Sequence, residues 1–192
     1  MPRKLSRMKR LLTSSGVVVA GFAAFAAAPA VADACEYGPT SQVFAPFGDG
    51  NDYYLAPGGD FEALSWSRTG EPSLVSGVNP LALAGGTRSL ELEAGEGVTS
   101  PEMCVSRKTP HLRFVAQGEG WLSVSVRMWA PGRLTSVSFT MPSRYHEEWA
   151  PSKIVKLWTS GLGEDETALA TVSFRSYGKW LIDDVFVDPY RR

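Results

Sequence analysis

The chain has 192 residues, and its 19 basic and 20 acidic side chains give a formal net charge of −1 at pH 7. Five basic residues and Asp33 fall within 1–34, so the remaining 158 residues carry 14 basic and 19 acidic side chains, a net charge of −5. This acidic balance argues against nucleic acid or an anionic membrane as the main partner. A chain of 158 residues is enough for one domain with a real core.

The N-terminal segment, residues 1–34, has the pattern of a secretory signal peptide. Its basic residues precede an apolar stretch at 17–28, and Ala32 and Ala34 fit the small-residue rule for cleavage. The apolar stretch is shorter than the roughly 20 residues that a membrane span needs. We therefore expect export, no membrane span and a single secreted domain over 35–192. An uncleaved N-terminal anchor is the alternative.

The two cysteines of the chain, Cys35 and Cys104, both follow the predicted cleavage site. An even count in an oxidising compartment favours a disulfide bond between them. It would close a loop of about 70 residues and stabilise the fold by about 4 kcal/mol. Lipidation of Cys35, the first residue of the mature chain, and a reactive thiol are the alternatives.

Short alternating runs, separated by Gly and Pro, fill the rest of the chain, and no long helix is evident. The run 121–129 places apolar side chains at every second position and polar or aromatic side chains between them. Many short strands with regular turn signals predict an all-β sandwich or barrel. In chain order the expected strands lie at 89–93, 111–116, 121–129, 134–141, 153–159, 167–177 and 179–187.

Three motifs follow one another between residues 54 and 187. They are Tyr54-Leu-Ala-Pro-Gly-Gly-Asp-Phe-Glu62 followed by Trp66, Gly86-Thr-Arg-Ser-Leu-Glu-Leu92, and Trp180-Leu-Ile-Asp-Asp-Val-Phe-Val187. In this order they resemble the galactose-binding-type jelly rolls of carbohydrate-binding modules. The resemblance implies a jelly-roll sandwich of two antiparallel sheets, although a fold alone does not imply sugar binding. The chain is also similar to a group of secreted actinobacterial proteins in its segments 43–49 and 188–192.

The resemblance also implies a structural calcium ion, which in such modules lies between the first and last strands. The matching positions here are Glu62 and Asp183. Calcium requires several oxygen ligands. On a strand Asp183 and Asp184 would point to opposite faces, so one of them would be buried and would need a partner. An ion pair with Arg88 or Arg175, or a backbone hydrogen bond, is the alternative.

Four residues are candidates for ligand binding: Trp121, Arg127, Trp129 and Trp149. The first three share the polar side of one predicted strand, and Trp149 lies in a long loop. Aromatic rings beside hydrogen-bonding groups are suited to hold a glycan. The alternative is that these rings cap strand ends and are covered by loops or termini.

No catalytic motif is present in the sequence. It has no Gly-x-Ser-x-Gly elbow, and His146 lacks the second histidine of a zinc-binding helix. We therefore expect a secreted, non-catalytic module that binds a glycan or another extracellular ligand. The alternative is a structural or interaction protein of the cell envelope with no small ligand.

Overall fold

The computed structural model describes residues 38–77, 79–106, 111–130, 133–142, 147–157, 162–163 and 167–188, with the backbone alone at 130 and 133–142. The predicted signal peptide, Cys35, residues 131–132 and His146 lie outside these residues. Within them, no helix is long and apolar enough to cross a membrane.

The described chain forms β-strands and one short 3-10 turn, Ala45–Phe47. In chain order the strands are β1 (Tyr54–Leu55), β2 (Ser67–Thr69), β3 (Ser73–Ser76), β4 (Arg88–Leu92), β5 (Gly97–Thr99), β6 (Met103–Ser106), β7 (His111–Gly118), β8 (Trp121–Ala130), β9 (Arg133–Pro142), β10 (Ala150–Pro151), β11 (Val155–Lys156), β12 (Thr167–Ser176) and β13 (Trp180–Asp188).

The strands form two antiparallel sheets. Sheet 1 has the order β10-β7-β13-β4-β3, with β1 paired to β13 and β11 paired to β7. Sheet 2 has the order β2-β5-β12-β8-β9, with β6 paired to β12. The predicted all-β jelly-roll sandwich of two antiparallel sheets is confirmed.

The core lies between the two sheets and follows the alternation of the strands. Leu122, Val124 and Val126 of β8 are buried, as the sequence pattern predicts. A chain of aromatic contacts then crosses the core. Phe114 of sheet 1 meets Phe174 of sheet 2 edge-on at 4.8 Å, and Phe174 in turn stacks on Trp66 at 5.8 Å. Such contacts add to the free energy gained by burial alone, so they help to hold the two sheets together.

A second apolar cluster covers the outer face of sheet 1. Phe44 and Tyr53, from the segment before β1, pack against Val115 of β7 and Phe186 of β13. Leu55, Leu81, Leu83, Val43 and Trp149 add partly buried side chains to the same cluster. One outer face of the sandwich is therefore covered by the protein's own chain.

Arg113 is the charged residue at the centre of this covered face. Its Nη1 donates to Asp49 Oδ2 at 2.8 Å, and its Nε and Nη2 donate to the carbonyl oxygen of Ser152 at 3.1 and 2.9 Å. The guanidinium also lies 4.5 Å from the centre of the Phe44 ring. Tyr53 donates its hydroxyl to the same Asp49 oxygen at 2.8 Å. Arg113 thus links the segments before β1 and after β10 to sheet 1.

Removing the Asp49 carboxylate tests this link. Asp49→Ala leaves a buried guanidinium and a buried hydroxyl without their acceptor, which should lower the free energy of unfolding by about 3 kcal/mol. Tyr53→Phe removes one hydrogen bond and should cost about 1 kcal/mol. Urea denaturation of the two variants measures both effects. A loss below about 0.5 kcal/mol for Asp49→Ala, the usual range for surface substitutions, would contradict the proposed role of the link.

Candidate functional site

The outer face of sheet 2 carries three of the four predicted ligand-binding residues. On β8 the buried positions alternate with Trp121, Ser123, Ser125, Arg127 and Trp129, which point away from the core. Trp121 is 53% exposed, Arg127 is exposed and Trp129 is half-buried. A tryptophan with half of its surface in water is informative, because large apolar side chains usually find cover.

Tyr177, the last residue of the predicted strand 167–177, is a neighbour of Trp121 that is not among the predicted ligand-binding residues. It directly follows β12, and its backbone N–H donates to the carbonyl oxygen of Trp121 at 2.8 Å. Its side chain is 59% exposed. Because Leu122 pairs with Ser176, Trp121 and Tyr177 stand side by side at one end of sheet 2. We refer to these two residues as the aromatic end.

Polar side chains extend from the aromatic end across the same face. Arg175 pairs with Ser123, and Ser173 pairs with both Ser125 and Thr99. The Thr99 and Ser173 hydroxyls are hydrogen-bonded at 2.8 Å. The face therefore presents two exposed rings, a guanidinium and a band of hydroxyls, a combination that suits a ligand with apolar faces and many hydroxyl groups.

The other end of this face is more closed. Leu169 pairs with Trp129 on one side and with Cys104 on the other. Cys104 is 5% exposed, and Thr171, opposite Arg127, is 8% exposed. Trp129 is therefore partly covered, as the alternative to ligand binding expected. Trp121, in contrast, is exposed.

Trp149 is not part of this face. It packs against the cluster of Phe44, Tyr53, Val115 and Phe186 on the outer face of sheet 1, on the opposite side of the sandwich. The structure therefore does not bring Trp149 together with Trp121, Arg127 and Trp129. No local pattern indicates this separation, because the side on which a loop crosses the sandwich depends on tertiary packing.

A buried polar cluster involves the two adjacent aspartates of β13. Asn79 donates its amide N–H groups to Asp183 Oδ2 at 2.9 Å and to Asp184 Oδ2 at 2.8 Å. Ser89 donates its hydroxyl to Asp183 at 3.1 Å, and the backbone N–H groups of Leu83 and Ala84 donate to Asp184 at 2.7 and 2.9 Å. The cluster ties the 79–84 loop to sheet 1.

The expectation that Asp183 and Asp184 point to opposite faces is wrong. Asp184 has a φ of +53°, and the pairing of β13 with β7 shifts register between Asp183 and Phe186. This bulge breaks the alternation of the strand, so both carboxylates reach one amide group. Gly59 lies against the bulge, where an added Cβ would come within 2.7 Å of the Val185 carbonyl oxygen.

Glu62, the other predicted calcium ligand, has a different set of partners. Its Oε1 accepts the backbone N–H groups of Thr87 at 2.6 Å and Arg88 at 2.8 Å. These hydrogen bonds lower the pKa of the exposed Glu62 carboxyl below its ordinary value. Glu62 therefore fixes the turn that leads into β4.

The described residues do not fit a calcium ion at Glu62 and Asp183. Within the part of the chain that the structure describes, no group of three or more His, Cys, Asp or Glu residues could hold a metal ion. The Asn79 amide also occupies the position between Asp183 and Asp184 that a bridging cation would need, and its orientation is fixed because its oxygen accepts the Leu81 N–H at 2.9 Å. Calcium binding therefore stays a prediction without support from these contacts.

Burial changes the acidity of this cluster. The pKa of Asp183 is raised to about 7, mainly by burial and also by the neighbouring Asp184 charge, while hydrogen bonds from Asn79 and Ser89 act in the opposite direction. Burial likewise raises the pKa of Asp184, against hydrogen bonds from the backbone of Ala84 and Leu83. The ionised form of Asp183 is therefore disfavoured in the folded protein.

A pH-dependent stability follows from the raised pKa of Asp183. The pKa of Asp183 in the folded protein, about 7, lies above its ordinary value of 3.8. Between these two pH values the folded chain therefore binds more protons than the unfolded chain. The contribution of Asp183 to stability consequently falls as the pH rises. We expect the free energy of unfolding of Asp183→Asn to rise relative to that of the wild type as the pH increases from 5 to 7.5. Denaturation in the presence of a chelator measures the difference, and a difference that does not change with pH would contradict the assignment.

Thermal denaturation with and without calcium chloride tests whether calcium binds at Glu62 and Asp183. Calcium at the predicted position would raise the melting temperature of the wild type, but much less that of Glu62→Gln or Asp183→Asn. Melting that responds neither to calcium nor to a chelator would remove the calcium prediction.

A cavity of about 510 Å³ lies at the uncovered end of sheet 1, and Gln117, Gly118, Glu119, Glu147, Lys179 and Leu181 line it. Among the described lining residues Lys179 is the one cation, and it is paired with Glu91 at 2.8 Å and Glu93 at 3.1 Å. None of these described residues is aromatic. They therefore differ from the exposed rings and polar groups on sheet 2.

The likeness of this chain to known proteins is structural and distant. No family model matches the chain, and no curated protein matches it. Similar solved structures include the carbohydrate-binding module TmCBM61 in complex with β-1,4-galactotriose, with 17% identity over 70% of this chain and 92% of that one, at a TM-score of 0.41. A family 11 carbohydrate-binding module from Clostridium thermocellum, in complex with a mixed-linked tetrasaccharide, shares 14% identity over 72% and 96%, at a TM-score of 0.45.

A third similar structure is the enzymatically active domain of tailspike protein 4 of bacteriophage CBA120. It shares 15% identity over 69% of this chain at a TM-score of 0.49, and this chain spans 21% of its length. All three likenesses lie below a TM-score of 0.5 and below 20% identity. We therefore draw no conclusion about ligand or activity from them.

Proposed function

We propose that this protein is a secreted, non-catalytic module that binds a glycan on the outer face of sheet 2. The observation that carries the proposal is the aromatic end, where Trp121 and Tyr177 are adjacent and both more than half exposed. The non-catalytic part of the proposal rests on the absence of catalytic motifs from the sequence. The binding part rests on the geometry of this face.

The chemistry of this face suits a sugar ring. Exposed aromatic faces attract the apolar C–H face of a ring, while neighbouring hydroxyl and guanidinium groups fix its orientation by hydrogen bonds. Ser123 and Arg175 lie directly beside the aromatic end, on the same side of the sheet. Regular strands hold Trp121, Ser123 and Arg175, and Tyr177 directly follows one of them, so the site is largely formed before a ligand arrives, which lowers the entropic cost of binding.

The second candidate is a structural or interaction protein of the cell envelope. The aromatic end and its neighbour Arg175 consist of Trp, Tyr and Arg. These residue types are also enriched at the positions that contribute most to protein–protein binding. In that case the face would contact another protein and no glycan. Direct glycan-binding measurements separate the two candidates.

Removing one ring tests the glycan proposal. We expect Trp121→Ala to weaken glycan binding at least about tenfold, because an aromatic residue at the centre of a binding site contributes about 2 kcal/mol or more. Screening on a glycan array, followed by calorimetry with the glycan that binds best, measures the effect. Tyr177→Ala should weaken binding to the same glycan.

Phe47→Ala is the matched control for this experiment. Phe47 is 40% exposed, but it belongs to the segment before β1 that covers sheet 1. Its removal should leave affinity unchanged. A protein that binds no glycan, or a Trp121→Ala variant that binds as well as wild type, would contradict the proposed function.

Export and a disulfide complete the proposal. Cys104 is not a free thiol in the structure, and it is buried on the outer side of β6. Cys35 lies outside the described residues, so its pairing with Cys104 stays a prediction. A bond between them would bring the start of the mature chain to the Trp129 end of sheet 2, which leaves the aromatic end free.

The exported protein provides the test of this disulfide. We expect its mass to correspond to residues 35–192 and its thiols to react with iodoacetamide only after reduction, because both cysteines are oxidised. Reduction should lower the free energy of unfolding by about 4 kcal/mol. An acylated N-terminus, or a thiol that reacts without reduction, would contradict the pairing.

A further inference from the structure

Charge is unevenly divided between the two sheets. The six strands of sheet 2 contain no aspartate, glutamate or lysine, whereas the strands of sheet 1 contain four carboxylates. This separation occurs in a chain with more acidic than basic residues. Sheet 2 is therefore a cationic element of an acidic protein, and its positive charge comes entirely from four arginines, Arg68, Arg127, Arg133 and Arg175.

Two of these arginines lie on the outer face that carries the aromatic end. Arg127 on β8 and Arg175 on β12 occupy outward positions, and both are exposed. Among the described contacts neither guanidinium has an ion-pair partner. Arg127 pairs with Thr171, four residues from Arg175 along β12, so the two positions are about 14 Å apart. The site thus presents two separate cations along one face.

Two acidic residues near the aromatic end, Glu96 and Glu119, make no ion pair with Arg175 among the described contacts. Glu96, which precedes β5, accepts the backbone N–H groups of Glu71 at 3.0 Å and Glu93 at 2.8 Å. Glu119, in the turn before Trp121, lines the cavity of sheet 1. Neither carboxylate is paired with Arg175, which leaves its guanidinium available to a ligand.

We propose that the ligand of this face is an acidic glycan, a polysaccharide that carries carboxylate or sulfate groups. Its sugar rings would stack on Trp121 and Tyr177, and its acidic groups would bind Arg127 and Arg175. A guanidinium suits this role because its planar set of donors can form two parallel hydrogen bonds with one carboxylate or sulfate. This inference rests on the proposed function, to which it adds the charge of the ligand.

The experiment compares each acidic polymer with a neutral form of the same backbone. Polygalacturonate and hyaluronan are each paired with their methyl esters, and chondroitin sulfate is paired with its desulfated methyl ester. We expect at least one acidic polymer to bind about tenfold more tightly than its neutral form in calorimetry at low salt. The preference should shrink at high salt, because exposed charges are screened.

Substitution of the arginines locates the effect. Arg127→Gln and Arg175→Gln should each weaken binding of the acidic polymer about fivefold, the loss expected for one exposed charge-assisted contact, and should leave the neutral form unaffected. Arg88→Gln is the matched control: it removes the same charge from an exposed position on sheet 1. Affinity should not change in this variant.

The outcomes separate this inference from the proposed function. Equal binding of acidic and neutral forms that still depends on Trp121 would overturn the acidic ligand and leave glycan binding in place. Binding to none of the polymers on the array or in the panel would overturn both. Equally tight binding of double-stranded DNA at the same salt concentration would show a general polyanion surface and would also overturn the inference.

Discussion

Arg113 carries a buried positive charge on the outer face of sheet 1, and the chain must supply acceptors for it there. The Asp49 carboxylate and the Ser152 carbonyl do so at 2.8 to 3.1 Å, and they come from the segments before β1 and after β10. A buried charge without partners is costly enough to unfold a marginally stable domain. These two segments must therefore lie across sheet 1, where Phe44 and Tyr53 complete the cover.

The cover makes the two sides of the sandwich unequal. On sheet 1 the chain's own segments pack over the outer face around Arg113, and the cavity of that sheet is lined by a lysine that is already paired. Sheet 2 keeps an open end with two exposed rings, hydroxyl groups and the Arg175 guanidinium, which has no carboxylate partner among the described contacts. Because β8 and β12, which carry Trp121 and Arg175, also enclose the core, the fold itself holds these two groups in place.

The local sequence pattern predicts part of the fold and of the candidate site. Alternation in β8 identified both its buried side and the outward positions of Trp121 and Arg127, because the side-chain period of a strand depends on the backbone alone. The bulge at Asp184 depends on contacts with a distant loop, so alternation gave the wrong faces there. Tyr177 was not among the predicted ligand-binding residues, since only the pairing of β12 with β8 places it beside Trp121. Trp149 was misplaced for a similar reason, because its packing depends on the path of a loop.

We propose the open face of sheet 2, and not the cavity of sheet 1, as the binding surface. Backbone amide shifts recorded by NMR during titration with the glycan that binds best distinguish the two surfaces. The largest changes should occur at Trp121, Ser123, Arg175 and Tyr177, with little change around Gln117 and Lys179. Changes concentrated around Gln117, Lys179 and Leu181, with the end of sheet 2 unaffected, would contradict it.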